Sequence, residues 1–168
     1  MQTTRSICVA LVAASCISCQ SIEQRARERE IESKPSEGGY AFRVWPGCSD
    51  TYSLEITGVT DTSEVLGPDF SVHYFKLGED RSLAFYHGGH PRREDKSSVA
   101  SFTSRVGKHN ATWNLYEMEG YVKASTYVDA TEGREGPPYL WHIMVAASDP
   151  SSAREIVKAV ESFHMISQ

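Results

Sequence analysis

The chain has 168 residues, of which 40% are hydrophobic and 23% are charged. These values are typical of a single globular domain and exclude collagen-like, coiled-coil and wholly disordered chains. Lys and Arg number 17 and Asp and Glu number 22, for a formal net charge of -5, so the chain lacks the excess of positive charge that nucleic-acid binding requires.

The first 15 residues have the pattern of a secretory signal peptide, because Arg5 precedes a run of small and apolar residues without a charge. This run is shorter than the roughly 20 apolar residues that cross a bilayer. The segment Val12-Ala13-Ala14-Ser15-Cys16 places small residues directly before a cysteine and resembles a bacterial lipobox, although Ala13 stands where Leu is common. Cys19, which also follows a small residue, is the alternative lipidation site.

The lipobox implies a diacylglycerol thioether and an N-acyl chain on the cysteine, and more than one acyl chain anchors a protein stably. Neither Ile17 nor Gln20, the residues after the two candidate cysteines, is the Asp that retains enterobacterial lipoproteins in the inner membrane. The resemblance therefore implies the cell envelope, at the periplasmic face of the outer membrane. We interpret residues 1–15 as signal peptide, 16–39 as lipidated Cys and charged tether, and 40–168 as the globular domain.

The four cysteines agree with export. Cys8 is removed with the signal peptide, and Cys48 alone lies in the predicted globular domain. We interpret Cys48 as a buried thiol, and a disulfide between Cys19 and Cys48 is the alternative.

Apolar residues in the globular part recur mainly with the period of two that is typical of strands. Residues 70–77 and 82–87 form a predicted hairpin with a short turn. Residues 111–118 and 121–128 flank Glu119-Gly120, and Gly120 can adopt the positive φ that a two-residue turn needs. The sequence thus predicts two antiparallel hairpins.

The last third of the chain changes from strand to helix. Residues 139–147 are almost wholly apolar and predict a central strand, whereas residues 97–106 fit a strand or a helix, of which we favour the strand. Asp149-Pro150 offers an N-cap followed by Pro at the first helical position, and apolar residues then recur at helical spacing to Phe163. We therefore predict an α+β domain: an antiparallel sheet of six or seven strands with a C-terminal amphipathic helix packed on one face.

Two segments, Tyr40-Ala-Phe-Arg-Val-Trp-Pro-Gly47 and the terminal strand and helix around Ser148-Asp149-Pro150, resemble PsbP-like domains of exported proteins. The sequence has no Gly-x-Ser-x-Gly, phosphate-binding loop, nicotinamide fingerprint or His-Glu-x-x-His. We therefore predict no catalytic residues and no cofactor.

The most unusual local chemistry is His87-Gly88-Gly89-His90-Pro91-Arg92-Arg93 at the end of a predicted strand. Two glycines let the backbone bend, while the His and Arg side chains can bind an anion or a carboxylate. We single out His87, His90, Arg92 and Arg93 as candidate ligand-binding residues, the alternative being a solvated strand end. Two His are too few for a closed zinc site, which needs four ligands, so no metal is predicted.

His142 lies inside the apolar strand, and we interpret it as a hydrogen-bonded core histidine rather than a catalytic imidazole. Glu117 and Glu119 share a strand face next to a turn and are predicted to face solvent. The whole pattern predicts a lipid-anchored envelope protein that binds a protein partner, in assembly or as an inhibitor or immunity protein. The alternative is a small-ligand-binding protein or hydrolase that uses the His87 segment.

Overall fold

The computed structural model describes residues 35–36, 39–43, 51–129 and 140–166. The predictions for Cys16, Cys19 and Cys48 lie outside these residues. The elements are, in chain order, β1 (Pro35–Ser36), β2 (Gly39–Arg43), β3 (Thr51–Leu54), β4 (Asp61–Leu66), β5 (Phe70–Lys76), β6 (Ser82–Gly88), β7 (Ala100–Val106), β8 (His109–Met118), β9 (Tyr121–Asp129), β10 (Leu140–Ala147), α1 (Pro150–Val160) and β11 (His164–Ile166).

The predicted α+β class is confirmed. Seven antiparallel strands form one sheet in the order β4-β5-β6-β10-β9-β8-β7, and a smaller sheet has the order β1-β2-β3-β11. The strand predicted to be central, β10, has three strands on each side. For residues 97–106 we favoured a strand over a helix, and most of them form the strand β7. Pro35, Ser36 and Gly39, which the sequence assigned to the tether, take part in the pairing of β1 with β2.

Both predicted hairpins are confirmed. β5 pairs with β6, and β8 pairs with β9 with Met118 opposite Tyr121. The turn between β8 and β9 is the predicted pair Glu119-Gly120, and Gly120 has a φ of 80°, which an L residue adopts only with strain. Local turn chemistry thus fixes this register.

The C-terminal helix begins where its capping residue predicts. The Asp149 carboxylate accepts hydrogen bonds from the backbone N–H groups of Ser151 and Ser152 at 2.8 and 3.0 Å. Hydrogen bonds from Ser152 and its neighbours hold the pKa of Asp149 below its ordinary value. The helix ends at Val160, so Phe163 packs on the core from the segment after it. The buried residues of α1 are Ala153, Ile156, Val157 and Val160.

The hydrophobic core lies between the seven-stranded sheet and the layer made by α1 and the small sheet. We call the sheet face toward this core the inner face and the opposite one the outer face. Aromatic rings join the layers, because Phe42 of β2 lies 5.4 Å from Phe85 of β6 and Tyr52 of β3 lies 4.9 Å from Trp141 of β10, centroid to centroid. The helix and small sheet therefore cover one face of the large sheet.

Gly107, in the two-residue turn between β7 and β8, makes a close backbone contact that gives a testable prediction. Its φ is 55°, and a Cβ there would lie 2.0 Å from the carbonyl oxygen of Phe163. At Gly120, which also has a positive φ, a Cβ would meet nothing within 4 Å. We expect Gly120→Ala to cost about 1 to 2 kcal/mol of unfolding free energy through backbone strain alone.

Gly107→Ala should cost about 1 to 3 kcal/mol more than Gly120→Ala, because it adds the overpacking of two backbone segments to the same strain. Urea unfolding of the two variants followed by circular dichroism measures the difference. Equal losses in the two variants would contradict the close contact.

Candidate functional site

The predicted ligand-binding segment belongs to a loop that crosses the outer face of the large sheet. β6 and β7 are consecutive in the chain, but β10, β9 and β8 lie between them in the sheet. Their connection, residues 89–99, therefore has to pass over three strands. We call it the crossing loop.

Side chains and backbone groups of three strands hold the crossing loop in place. Tyr127 of β9 donates a hydrogen bond from its hydroxyl to the carbonyl of Arg92 at 2.8 Å. The Tyr86 hydroxyl of β6 accepts one from the N–H of His90 at 3.3 Å, and Val99 N–H donates to a β8 carbonyl at 2.8 Å. His142 of β10 pairs with Tyr86 on one side and with Tyr127 on the other, so the three side chains lie on one face of the sheet. The crossing loop, which bonds to Tyr86 and Tyr127, lies on that same face, the outer one.

The structure separates His87 from the other three candidate residues. Pairing of β6 continues through Gly88, and side chains alternate along a strand, so His87 points to the same face as Leu83 and Phe85. Its imidazole is buried and packs 4.7 Å from the ring of Trp141. The sequence predicted His87 as the last residue of a strand; the strand extends one residue further, to Gly88, and His87 lies on the inner face, whereas the crossing loop lies on the outer face.

His90, Arg92 and Arg93 are exposed on the crossing loop. Arg92 forms a solvent-exposed ion pair with Asp95 at 3.6 Å, and such pairs contribute little to stability. Arg93 lines a cavity of about 420 Å³ beneath the loop, together with Pro91, Glu94, Tyr116, Tyr127 and Leu140. Ligand binding by these three residues remains a prediction.

A polar cluster that the sequence did not reveal lies under the crossing loop. His142 is 3% exposed, its Nε2 lies 3.3 Å from the Ser125 hydroxyl, and its ring stacks on Tyr127 at 4.2 Å. Glu94 of the loop forms an ion pair with Lys123 of β9 and lies 4.0 Å from the same Nε2. Burial, followed by the charge of Lys123, lowers the pKa of His142 to about 4, so the imidazole is neutral at pH 7.

The cluster does not have the geometry of a serine hydrolase. In a Ser-His-acid relay the hydroxyl and the acid contact different ring nitrogens of the His, whereas Ser125 and Glu94 both approach Nε2 of His142. The Ser125 side chain is also fully buried. Burial and the charge of Glu94 raise the pKa of Tyr127 above 10.0, so this phenol is protonated. The arrangement holds the crossing loop on the sheet rather than activating a nucleophile.

A second surface with a distinctive composition is the edge of the large sheet at β4. Of the described strands, β4 pairs with β5 alone, so one row of its backbone groups has no strand beside it. Val65 and Leu66 in β4 are 49% and 43% exposed, and Tyr74 in β5 is 40% exposed. Val65 pairs with Val72, and Tyr74 lies two residues beyond Val72, so Val65 and Tyr74 share the outer face. Leu66 follows Val65 directly and points to the other face of the strand. This patch is apolar and lies at an open edge.

Within the described ranges there is no group of three or more His, Cys, Asp or Glu side chains that could hold a metal ion. Nor does the described part of the chain include a helix with the length and hydropathy to cross a bilayer. No protein-family model matches the chain, and comparison with curated proteins and with solved structures likewise gave no match.

Proposed function

We propose that this protein is an envelope-anchored lipoprotein whose α+β domain binds a protein partner, in assembly or as an inhibitor or immunity protein. The segment before Cys16, with Cys19 as the alternative, supports the lipid anchor. The open, apolar edge at β4 supports binding and is the observation that carries the proposal. The partner adds an extended segment to this edge.

An open sheet edge offers a row of backbone donors and acceptors to an incoming strand, and natural proteins usually blunt such edges with charge, Pro or a cover. β4 keeps Val65 and Leu66 exposed, and Tyr74 of the next strand is exposed on the same face as Val65. Backbone pairing supplies affinity in strand addition, and pockets or patches for alternate side chains supply specificity. An exposed apolar patch on a strand that pairs on one side only, among the described strands, meets both requirements.

The opposite edge, β7, is less suited to a partner. Its exposed side chains include Ser101 and Thr103 rather than large apolar groups. Its inner side is occupied by side chains of the helical layer, because Arg154 lies 4.2 Å over the Phe102 ring and Ser104 donates a hydrogen bond to Glu161 at 2.6 Å. The two edges therefore differ, and β4 is the favoured docking edge.

The anchor is tested by mass spectrometry of the N-terminus of the mature protein from its host. We expect a lipid-modified cysteine at position 16 or 19, and loss of membrane association when that Cys is replaced by Ala. Unmodified thiols at both positions would refute the anchor without bearing on the β4 edge.

Partner binding is tested by placing a photoreactive residue at Ser63, an exposed position of β4, in the full chain in native membranes. We expect crosslinking to one reproducible protein, and much less of it when Val65→Lys is added, because a buried charge opposes docking. The same photoreactive residue at Glu119, in an exposed turn, is the control. Equal crosslinking from both positions, or none from Ser63, would contradict the proposal, provided that melting temperatures are unchanged.

A further inference from the structure

The cavity of about 420 Å³ beneath the crossing loop has walls made by side chains of the outer face. Tyr116 of β8 pairs with Lys123, whose ammonium binds Glu94 of the loop, so the Tyr116 ring lies on the face that the loop covers. Leu140 stands two residues before His142 in β10 and therefore shares that face. Small-molecule sites are clefts of about 300 to 1,000 Å³ with mainly apolar walls and a few polar groups, and this cavity fits that description.

The Tyr116 hydroxyl offers a proton to an occupant of the cavity. The residue is 7% exposed and lines the cavity, yet its hydroxyl has no hydrogen-bond partner in the part of the chain that the structure describes. Burial and the charge of Glu94 raise the pKa of this phenol above its ordinary value, so it keeps its proton at pH 7. Buried polar groups are almost always hydrogen-bonded, and a ligand with an acceptor oxygen would supply the partner.

Arg93 supplies the charge that a ligand can meet. Burial and the charge of Glu94 raise the pKa of Tyr127, whereas the charge of Arg93 lowers it, so the guanidinium lies near the phenol that forms the wall. Among the described residues, this guanidinium has neither an ion pair nor a hydrogen bond, while Glu94 is neutralised by Lys123. One uncompensated positive charge matches a monoanion, whereas a phosphate dianion would leave a negative charge in excess beside Glu94.

We propose that this cavity binds a small carboxylic acid in its ionised form. The carboxylate faces Arg93 and accepts a hydrogen bond from the Tyr116 hydroxyl, because guanidinium groups and neutral phenols both donate to carboxylate oxygens. The apolar body of the ligand lies against Pro91, Leu140 and the Tyr127 ring. The crossing loop is thus the roof of the site. This binding depends neither on the lipid anchor nor on a protein partner.

The test compares phenylacetate with phenylacetamide, which share one apolar body and differ in the charge of the head group. Binding of each to the full chain at pH 7 is followed by the chemical shifts of the backbone amides in NMR spectra. We expect phenylacetate to bind about tenfold more tightly, as one favourable charge contact provides, with shifts in the crossing loop and β8. Equal affinities, shifts confined to other parts of the chain, or no binding of either probe would overturn the proposal.

Two neighbouring arginines give a matched pair of variants. Arg93→Gln should weaken phenylacetate about tenfold and leave phenylacetamide unchanged, because it removes the charge that faces the cavity. Arg92→Gln makes the same change in net charge, but its guanidinium pairs with Asp95 in solvent, so both affinities should keep their wild-type values. Equal effects of the two variants would assign the preference to net charge and overturn the site.

Tyr116→Phe removes only the hydroxyl and tests the second contact. Phenylacetate should bind about threefold more weakly or less tightly still, as the loss of one hydrogen bond predicts. The melting temperature should stay unchanged, because the hydroxyl has no partner among the described residues. A lower melting temperature with unchanged affinity would show that the hydroxyl serves the fold rather than the ligand, and would overturn this contact.

Discussion

Phe85→Ala is expected to lower the free energy of unfolding by about 3 to 5 kcal/mol, a large part of the roughly 5 to 15 kcal/mol that stabilises a typical domain. Phe85 is fully buried on the inner face of β6. Its ring lies 5.4 Å from Phe42 of the small sheet, 6.0 Å from Trp141 of β10 and 5.0 Å from Phe163 after the helix. Truncation therefore removes contacts with two strands and with the segment after the helix at once, and leaves a cavity between the layers.

The matched control is Tyr121→Ala, which removes an exposed aromatic ring at a hairpin end and should change stability by about 1 kcal/mol or less. Urea unfolding followed by circular dichroism gives both values, with an unchanged dependence on urea showing that the folded state is intact. A loss below about 2 kcal/mol for Phe85→Ala would mean that the two layers do not meet at this ring.

Features that depend on neighbouring residues were predictable from the sequence. The Gly120 turn needs only a residue tolerant of positive φ between two alternating segments. The start of α1 needs only Asp149 and Pro150, because the cap and the fixed φ of Pro act within one turn. The central strand followed from the continuous apolar run of residues 139–147, since a strand buried on both faces cannot alternate.

Strand order and the crossing loop were not predictable in the same way. Nothing local in residues 89–99 states that β7 lies four positions from β6 in the sheet, because that order depends on which distant strands pair. The same dependence on distant parts of the chain explains why the burial of His87 was not predicted. His87 ends the predicted strand, and the sequence did not reveal that the face it shares with Leu83 and Phe85 is the one buried against the core.

Part of the polar cluster around His142 was predictable from the sequence, and part was not. The burial of His142 was predicted from its apolar neighbours and is confirmed. Lys123 and Ser125 stand two residues apart in a predicted strand, which places them on one face. Glu94, however, reaches this face only because the crossing loop returns over the sheet, and long-range contacts of this kind leave no local pattern.

His142 gives the second large expected effect, a loss of stability in mild acid. Burial, together with the charge of Lys123 and partly opposed by the charge of Glu94, lowers the pKa of its imidazole from 6.5 to about 4 in the folded protein. Ser125 and Tyr127 are its other contacts. The protonated ring would have to sit beside the Lys123 ammonium in a site with little water, so folding favours the neutral form.

The direction of the pH dependence follows from proton counting. Between pH 6.5 and 4 the unfolded chain binds a proton at His142 and the folded chain does not, so the unfolding free energy falls as pH falls. Stability from this group is fully present above pH 6.5. Acidification from pH 8 to pH 5 should remove about 2 kcal/mol, and continuing to pH 4 about 3 kcal/mol, through His142 alone.

Urea unfolding of the wild type and His142→Gln at pH 8, 7, 6 and 5 measures this effect. The variant cannot take up the proton, so its stability should fall by about 2 kcal/mol less than that of the wild type over this range. The other titrating groups, among them His73 and His87, are present in both proteins and cancel in the comparison. His90→Gln, which changes an exposed imidazole, should retain the wild-type slope. Parallel pH profiles for the wild type and His142→Gln would show that the imidazole beneath the crossing loop is protonated as readily in the folded chain as in the unfolded one.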